Sequence, residues 1–256
     1  MTDMAALRAH RRGGPEVLVV ERAPVPVPAA GEVLIEVHAA AITFDELTWD
    51  ETWTRDGADR TPTIPSHEVS GVVAAIGADV TDLAVGDPVY GLIPFDRDGA
   101  AAEYVTVPAD CLAARPTTCS HVQSAALPLA GLTAWQALIE HAAVKPGERV
   151  LVHGGAGGVG GDTLERSFDV LRPGGRLVTL SAPPPPHKAE AFDVTATFFI
   201  VTPDRAQLAQ LAELVDAAGM HIAIAGTFPF QDGRAAFESG RARDRRPGKT
   251  VLVVRD

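Results

Sequence analysis

One stretch constrains this chain more than any other: Gly154-Gly155-Ala156-Gly157-Gly158-Val159-Gly160-Gly161. It follows an apolar run, Arg149-Val150-Leu151-Val152-His153. It precedes a segment with Leu164, Phe168 and Leu171 on one helical face and Glu165, Arg166 and Asp169 on the other. Strand, glycine turn and helix in that order form the context of the dinucleotide fingerprint, here Gly155-x-Gly157-x-x-Gly160. Glycines permit the tight turn and let backbone approach a pyrophosphate, whose charge suits the positive end of a helix. Glycines also serve plain strand-to-helix turns, so the pattern is weak without its context. Pro173-Gly174-Gly175 stops the helix, and residues 176–181 read as a further strand, which predicts a βαβ unit of a parallel sheet. The acid that normally holds the ribose about 20 residues on is missing, because the strand ends Thr179-Leu180-Ser181-Ala182-Pro183.

Before residue 120 the signals are those of β structure. Glu32-Val33-Leu34-Ile35-Glu36-Val37-His38 alternates in part, residues 69–76 are apolar and β-branched, and residues 102–107 close at Pro108. Pro24-Val25-Pro26-Val27-Pro28 is extended by its own prolines. Residues 120–143 read as helix interrupted at Pro128, Pro183–Pro186 as a stiff connector, and residues 203–218 as a helix stopped by Gly219. Residues 222–224 and 250–254 are the last strand candidates.

With 46% hydrophobic residues in 256, the chain can bury a substantial core, and it has no apolar run of the ~20 residues a membrane helix needs. A net charge of −11 argues against nucleic acid and anionic membrane as partners. Cys111 and Cys119 make no disulfide framework, and no leader pattern is visible, so a soluble cytoplasmic protein is expected.

Several stretches in order carry a family resemblance. They are Gly13-Gly14-Pro15-Glu16-Val17-Leu18, His67-Glu68-Val69-Ser70-Gly71-Val72-Val73 and Val85-Gly86-Asp87-Pro88-Val89-Tyr90-Gly91. Ala125-Ala126-Leu127-Pro128-Leu129-Ala130-Gly131-Leu132-Thr133-Ala134, Ala156-Gly157-Gly158-Val159-Gly160 and Gly248-Lys249-Thr250-Val251-Leu252-Val253 follow. Together they resemble the medium-chain dehydrogenase/reductase superfamily, in its zinc-free quinone and enoyl reductase branch. The resemblance implies an α/β chain: a GroES-like β-barrel domain (residues 1–120 with 226–256) and a truncated Rossmann-type parallel-sheet domain (residues 121–225). It is truncated because the segment starting Gly161-Asp162-Thr163-Leu164 follows Gly160 directly, where the family inserts a complete helix and further strands, on the order of 70 residues. The lost part carries the adenine pocket and the groups that read a 2′-phosphate. An uncovered sheet edge remains, which predicts a homodimer.

The same resemblance implies hydride transfer from NADPH to a quinone or an α,β-unsaturated carbonyl. Ala156, Gly157, Gly158, Val159 and Gly160 would hold the pyrophosphate, Thr133 would contact the nicotinamide half, and Phe198 and Phe199 would flank the ring. Thr43 stands where zinc members have a cysteine and would donate to the substrate oxygen. Trp49 and Trp53 would stack on a planar substrate, or else pack a loop onto the barrel. His67 and Glu68 with no further ligand do not make a zinc site and read as partly buried structural residues, so no metal is expected. Cys111 and Cys119, eight apart, read as small buried hydrophobes, and Arg241-Ala242-Arg243-Asp244-Arg245-Arg246 as a solvated loop. A shortened, non-catalytic binding or scaffold protein is the alternative.

Overall fold

The computed structural model describes residues 3–153, 161–242 and 244–255. The glycine loop, with the expected cofactor contacts Ala156, Gly157, Gly158, Val159 and Gly160, lies outside the described residues. The chain divides into two compact units, residues 1–131 with 202–256, and residues 132–201. The fold is α/β, with a GroES-like β unit and a Rossmann-like parallel strand pair.

In chain order the first unit carries β1 (Asp3–Ala9), β2 (Leu18–Pro24), β3 (Glu32–Ile42), β4 (Thr54–Arg55), β5 (Ala58–Asp59), β6 (Glu68–Ile76), β7 (Pro88–Leu92), β8 (Tyr104–Pro108) and β9 (Leu112–Ala114). The second unit carries β10 (Arg176–Thr179) and β11 (Thr195–Phe198), after which β12 (Ile224–Pro229) and β13 (Lys249–Val253) return to the first. β3 is the spine of a seven-stranded sheet. β6 pairs antiparallel along one of its edges, while β8 and β13 share the other, at residues 32–36 and 39–42 respectively. Its alternating Val33, Ile35 and Val37 are fully buried in one core with Val69, Val73, Val89 and Leu112, as half-buried strands require.

This register fixes the location of the site. Ala41 lies opposite Glu68 and Ile42 opposite Thr250, so the first residues of β6 and β13 flank the point where β3 ends at Ile42 and Thr43 follows. A loop braces the entry to β6: the amides of Gly99, Ala100 and Ala101 donate to the carbonyls of Ile64, Ser66 and Pro65. A Cβ on Gly99 would collide with the Pro65 and Ser66 carbonyl oxygens, which are backbone and cannot swing aside. Gly99→Ala is therefore expected to cost about 2–3 kcal/mol, read as a fall in the thermal midpoint.

Helices follow their punctuation. Ser120 and Gln123 form a capping box for residues 121–125, and a new helix begins at Pro128. The helix Arg205–Ala218 is capped by Asp204, whose carboxylate accepts from the Gln207 amide at 2.9 Å, and ends at Gly219 with φ +60°. This helix packs within the first compact unit. The Tyr90 hydroxyl donates to the Leu208 carbonyl at 2.6 Å, and Arg205 donates to the carbonyls of Ala109 and Leu112.

The second unit departs from the sequence reading around its first expected strand and its proline run. Residues 149–153 do not form a strand, and Val150, Leu151 and Val152 are 51%, 61% and 65% exposed. A strand needs neighbours for its amides and carbonyls, and the resemblance assigns the flanking strands to the missing stretch. The βαβ unit lies one element later: β10 and β11 pair parallel, joined through the helix Pro186–Ala191. The proline run thus leads into a helix rather than serving only as a connector. The expected amphipathic helix is Asp162–Ser167 with a further turn at 168–170, and Leu164 and Phe168 are buried.

Candidate functional site

The site is a cluster of buried polar groups at the end of β3. Lys249, first residue of β13, pairs its ammonium with the Glu68 carboxylate and donates to Thr43 Oγ1 at 3.3 Å. The other Glu68 oxygen accepts from the Leu129 amide at 3.0 Å. Glu68 is essentially inaccessible, whereas the Lys249 side chain keeps 20% exposure. Burial pushes the Glu68 carboxyl up, against the pull of Lys249.

Behind Thr43 lies Glu46, fully buried in the turn after β3. It accepts from the Ser66 amide at 2.8 Å, and its carboxylate is 3.8 Å from His67 Nε2. Burial raises Glu46 to about 8 and lowers His67 to about 4, so at neutral pH the first is largely protonated and the second neutral. Ser66 is held at φ +72°, a left-handed conformation that side chains seldom adopt. Among the described residues, Glu46 Oε1, Ser66 Oγ and His67 Nδ1 have no hydrogen-bond partner. His67 also meets the edge of Phe95, ring centres 5.4 Å apart, and Phe95 in turn meets Trp49 at 5.1 Å.

The raised Glu46 has a measurable consequence. Between its unfolded pKa near 4.5 and its folded value of about 8, the native state binds more protons, so stability falls as pH rises through that window. His67 acts oppositely, losing stability as pH falls from about 6.5 to about 4. Glu46→Gln is therefore expected to flatten the decline between about pH 6.5 and 8, checked by denaturant unfolding across pH.

The sequence-predicted residues divide. Thr43 and Trp49 join the cluster, and His67 and Glu68 are more deeply buried than expected. Trp53 does not join: it is 2% exposed and its indole N–H donates to the Leu47 carbonyl at 3.0 Å, which makes it a core residue. Thr133, Phe198 and Phe199 lie in the second unit, where Phe199 is buried against His141 with ring centres 4.4 Å apart. Cys111 and Cys119 are buried free thiols, and burial pushes Cys111 up to about 12. In the basic loop Arg241 pairs with Glu16 and Arg245 lies over the Phe44 ring at 4.5 Å. Among the described residues no three His, Cys, Asp or Glu side chains are grouped to hold a metal ion, and no helix is long and apolar enough to cross a membrane.

Sequence reasoning missed Glu46 and Lys249. The available signal was a lone cation opening the apolar run Thr250-Val251-Leu252-Val253, opposite a lone Glu68 opening another.

Residues 29–117 match the alcohol dehydrogenase GroES-like domain and residues 150–252 the zinc-binding dehydrogenase family. The chain belongs to the medium-chain dehydrogenase/reductase superfamily. A quinone oxidoreductase of Sus scrofa is 35% identical over 158 residues, covering 61% of this chain and 47% of that protein. The Homo sapiens quinone oxidoreductase is 37% identical over the same length and coverage. The chain thus spans about half the length of the curated relatives it matches. Among solved structures, the quinone oxidoreductase from Coxiella burnetii superposes with a TM-score of 0.87 at 25% identity, covering 99% of this chain and 100% of that one. An alcohol dehydrogenase superfamily protein from Novosphingobium aromaticivorans, at 20% identity and TM-score 0.87, shares the fold.

Proposed function

We propose that this protein is an NADPH-dependent, zinc-independent oxidoreductase acting on quinones or α,β-unsaturated carbonyls. The observation that carries the proposal is the Thr43–Lys249–Glu68 cluster. Lys249 donates into Thr43 Oγ1 and so leaves the Thr43 proton free to point at a substrate oxygen. The half-buried Trp49, edge-on to Phe95, offers a flat apolar wall for a planar substrate. Zinc independence is supported by the chemistry of the donor set: a threonine replaces the family's thiolate, and the Lys249 ammonium already neutralises Glu68, so a dication there would meet a fixed positive charge. Reduction by this protein is expected to proceed at an unchanged rate after exhaustive chelation.

A dinucleotide, when bound, would supply the hydride. The described residues do not fit its adenosine half: residues 149–153 form no strand to present the glycine loop, and β10 runs into Leu180 and Ser181 with neither an acid nor a base. Each charge-assisted hydrogen bond absent there weakens binding by about 1.5–3 kcal/mol, so two leave the affinity for NADPH a hundredfold or more below that of a complete fold. That same mismatch supports a second reading, a shortened relative that binds a planar carbonyl ligand without turning it over. The homodimer, the cytoplasmic location and a functional division into residues 1–120 with 226–256 and residues 121–225, whose bounds differ from those of the two compact units, belong to the proposal, the dimer resting on the exposed Val150, Leu151 and Val152.

NADPH consumption against a panel of quinones and enones separates the two readings. Turnover that depends on the acceptor supports the reductase, and acceptor binding with no NADPH consumed supports the binding protein.

A further inference from the structure

We infer that Lys249 and Thr43 together form an oxyanion subsite, one that binds the deprotonated oxygen of a phenolate or enolate and returns a proton to it. The inference deepens the reductase proposal and rests on it for its biological purpose. Three observations carry it.

The first is register. Strands β13 and β6 begin on opposite sides of the end of β3, so a cation and an anion are laid across Thr43 by backbone pairing and not by flexible loops. The second is the satisfaction of Glu68. One oxygen takes the Leu129 amide and the other the ammonium, so each carboxylate oxygen already holds a donor other than the Thr43 hydroxyl. An ammonium has three donors, of which Glu68 and Thr43 take two. The third is exposure. Lys249 keeps a fifth of its side chain accessible while its partner is sealed, so the cationic side of the pair alone faces outward.

Across this site an oxyanion would accept the Thr43 hydroxyl and the spare Lys249 N–H. Protonation is then a relay of two transfers. The Thr43 O–H bond breaks as a new O–H bond forms on the ligand, and an N–H bond of Lys249 breaks to restore the Thr43 hydroxyl. The resulting amine recovers its proton from water at its exposed end. No electrons are exchanged with any acceptor in these steps. Lys249 and Thr43 are the catalytic residues of this relay, and Glu68 is a positioning residue.

The test uses 4-nitrophenol and the full chain without cofactor, and reads phenol ionisation by absorbance. Binding is expected to favour the phenolate, lowering the probe's apparent pKa by about one unit, a tenfold preference over the phenol. Lys249→Arg should keep the shift and Lys249→Met should abolish it. Because the methionine variant gives up a buried pair, Thr43→Val serves as the second variant: it should fold normally and weaken phenolate binding several-fold. Equal binding of phenol and phenolate, no binding at all, or a shift surviving in both Lys249→Met and Thr43→Val would overturn the subsite. A separate NADPH titration keeps the two claims apart, since a phenolate shift without cofactor binding sustains the subsite while removing the reductase.

Discussion

Lys249→Met is expected to destabilise the protein by about 3–5 kcal/mol, because it strands the carboxylate of Glu68 in a site with almost no solvent. Against a total stability of roughly 5–15 kcal/mol, that is enough to leave much of the protein unfolded at moderate temperature. The loss should depend on pH. Glu68 already sits above its ordinary range, and without its cation burial acts unopposed except by the Leu129 amide. A raised folded pKa means stability is retained in acid and lost as pH rises. Thermal midpoints of the variant should therefore approach wild type in acid and diverge at neutral pH. Lys249→Met combined with Glu68→Gln should recover much of the loss, since the stranded charge is then gone. A variant as stable as wild type at every pH would show that the pair is not formed.

The second large effect belongs to tryptophan. Trp53 is the largest fully buried side chain, so Trp53→Ala is expected to cost about 3–5 kcal/mol through lost contacts and the cavity left behind. Trp49 is half-buried at the site, and Trp49→Ala should leave the unfolding midpoint close to wild type while weakening binding of planar ligands. Chemical denaturation followed with ligand titration measures both. The reverse pattern, with binding lost at Trp53 and stability lost at Trp49, would contradict the assignment of the two residues.

That pair shows where sequence was legible and where it was not. Nine residues containing two tryptophans, Asp45 to Trp53, stand out in any reading. Which indole points inward depends on the turn at 46–48 and the single helical turn at 50–53, a local geometry with no periodic signature. Strands with alternating or β-branched patterns, such as β3 and β6, were readable because burial on one face writes itself into every second residue. Lys249 and Glu46 were not readable as site members. They meet Thr43 only through the pairing of strands about 200 residues apart in sequence and through a buried turn. Residues 149–153 carried a strong strand signal and form no strand, since apolar character gives a segment the tendency to pair but cannot supply the neighbours.

The proposed reductase activity requires that a chain whose described second unit pairs two parallel strands binds a nicotinamide cofactor. The deciding measurement is a titration of NADPH, with NADH alongside, followed by nicotinamide fluorescence on protein of verified intact mass. Saturable NADPH binding is expected in the high micromolar to millimolar range, about a hundredfold or more weaker than two further charge-assisted contacts would give. No binding at millimolar NADPH would contradict the reductase and leave a carbonyl-binding protein.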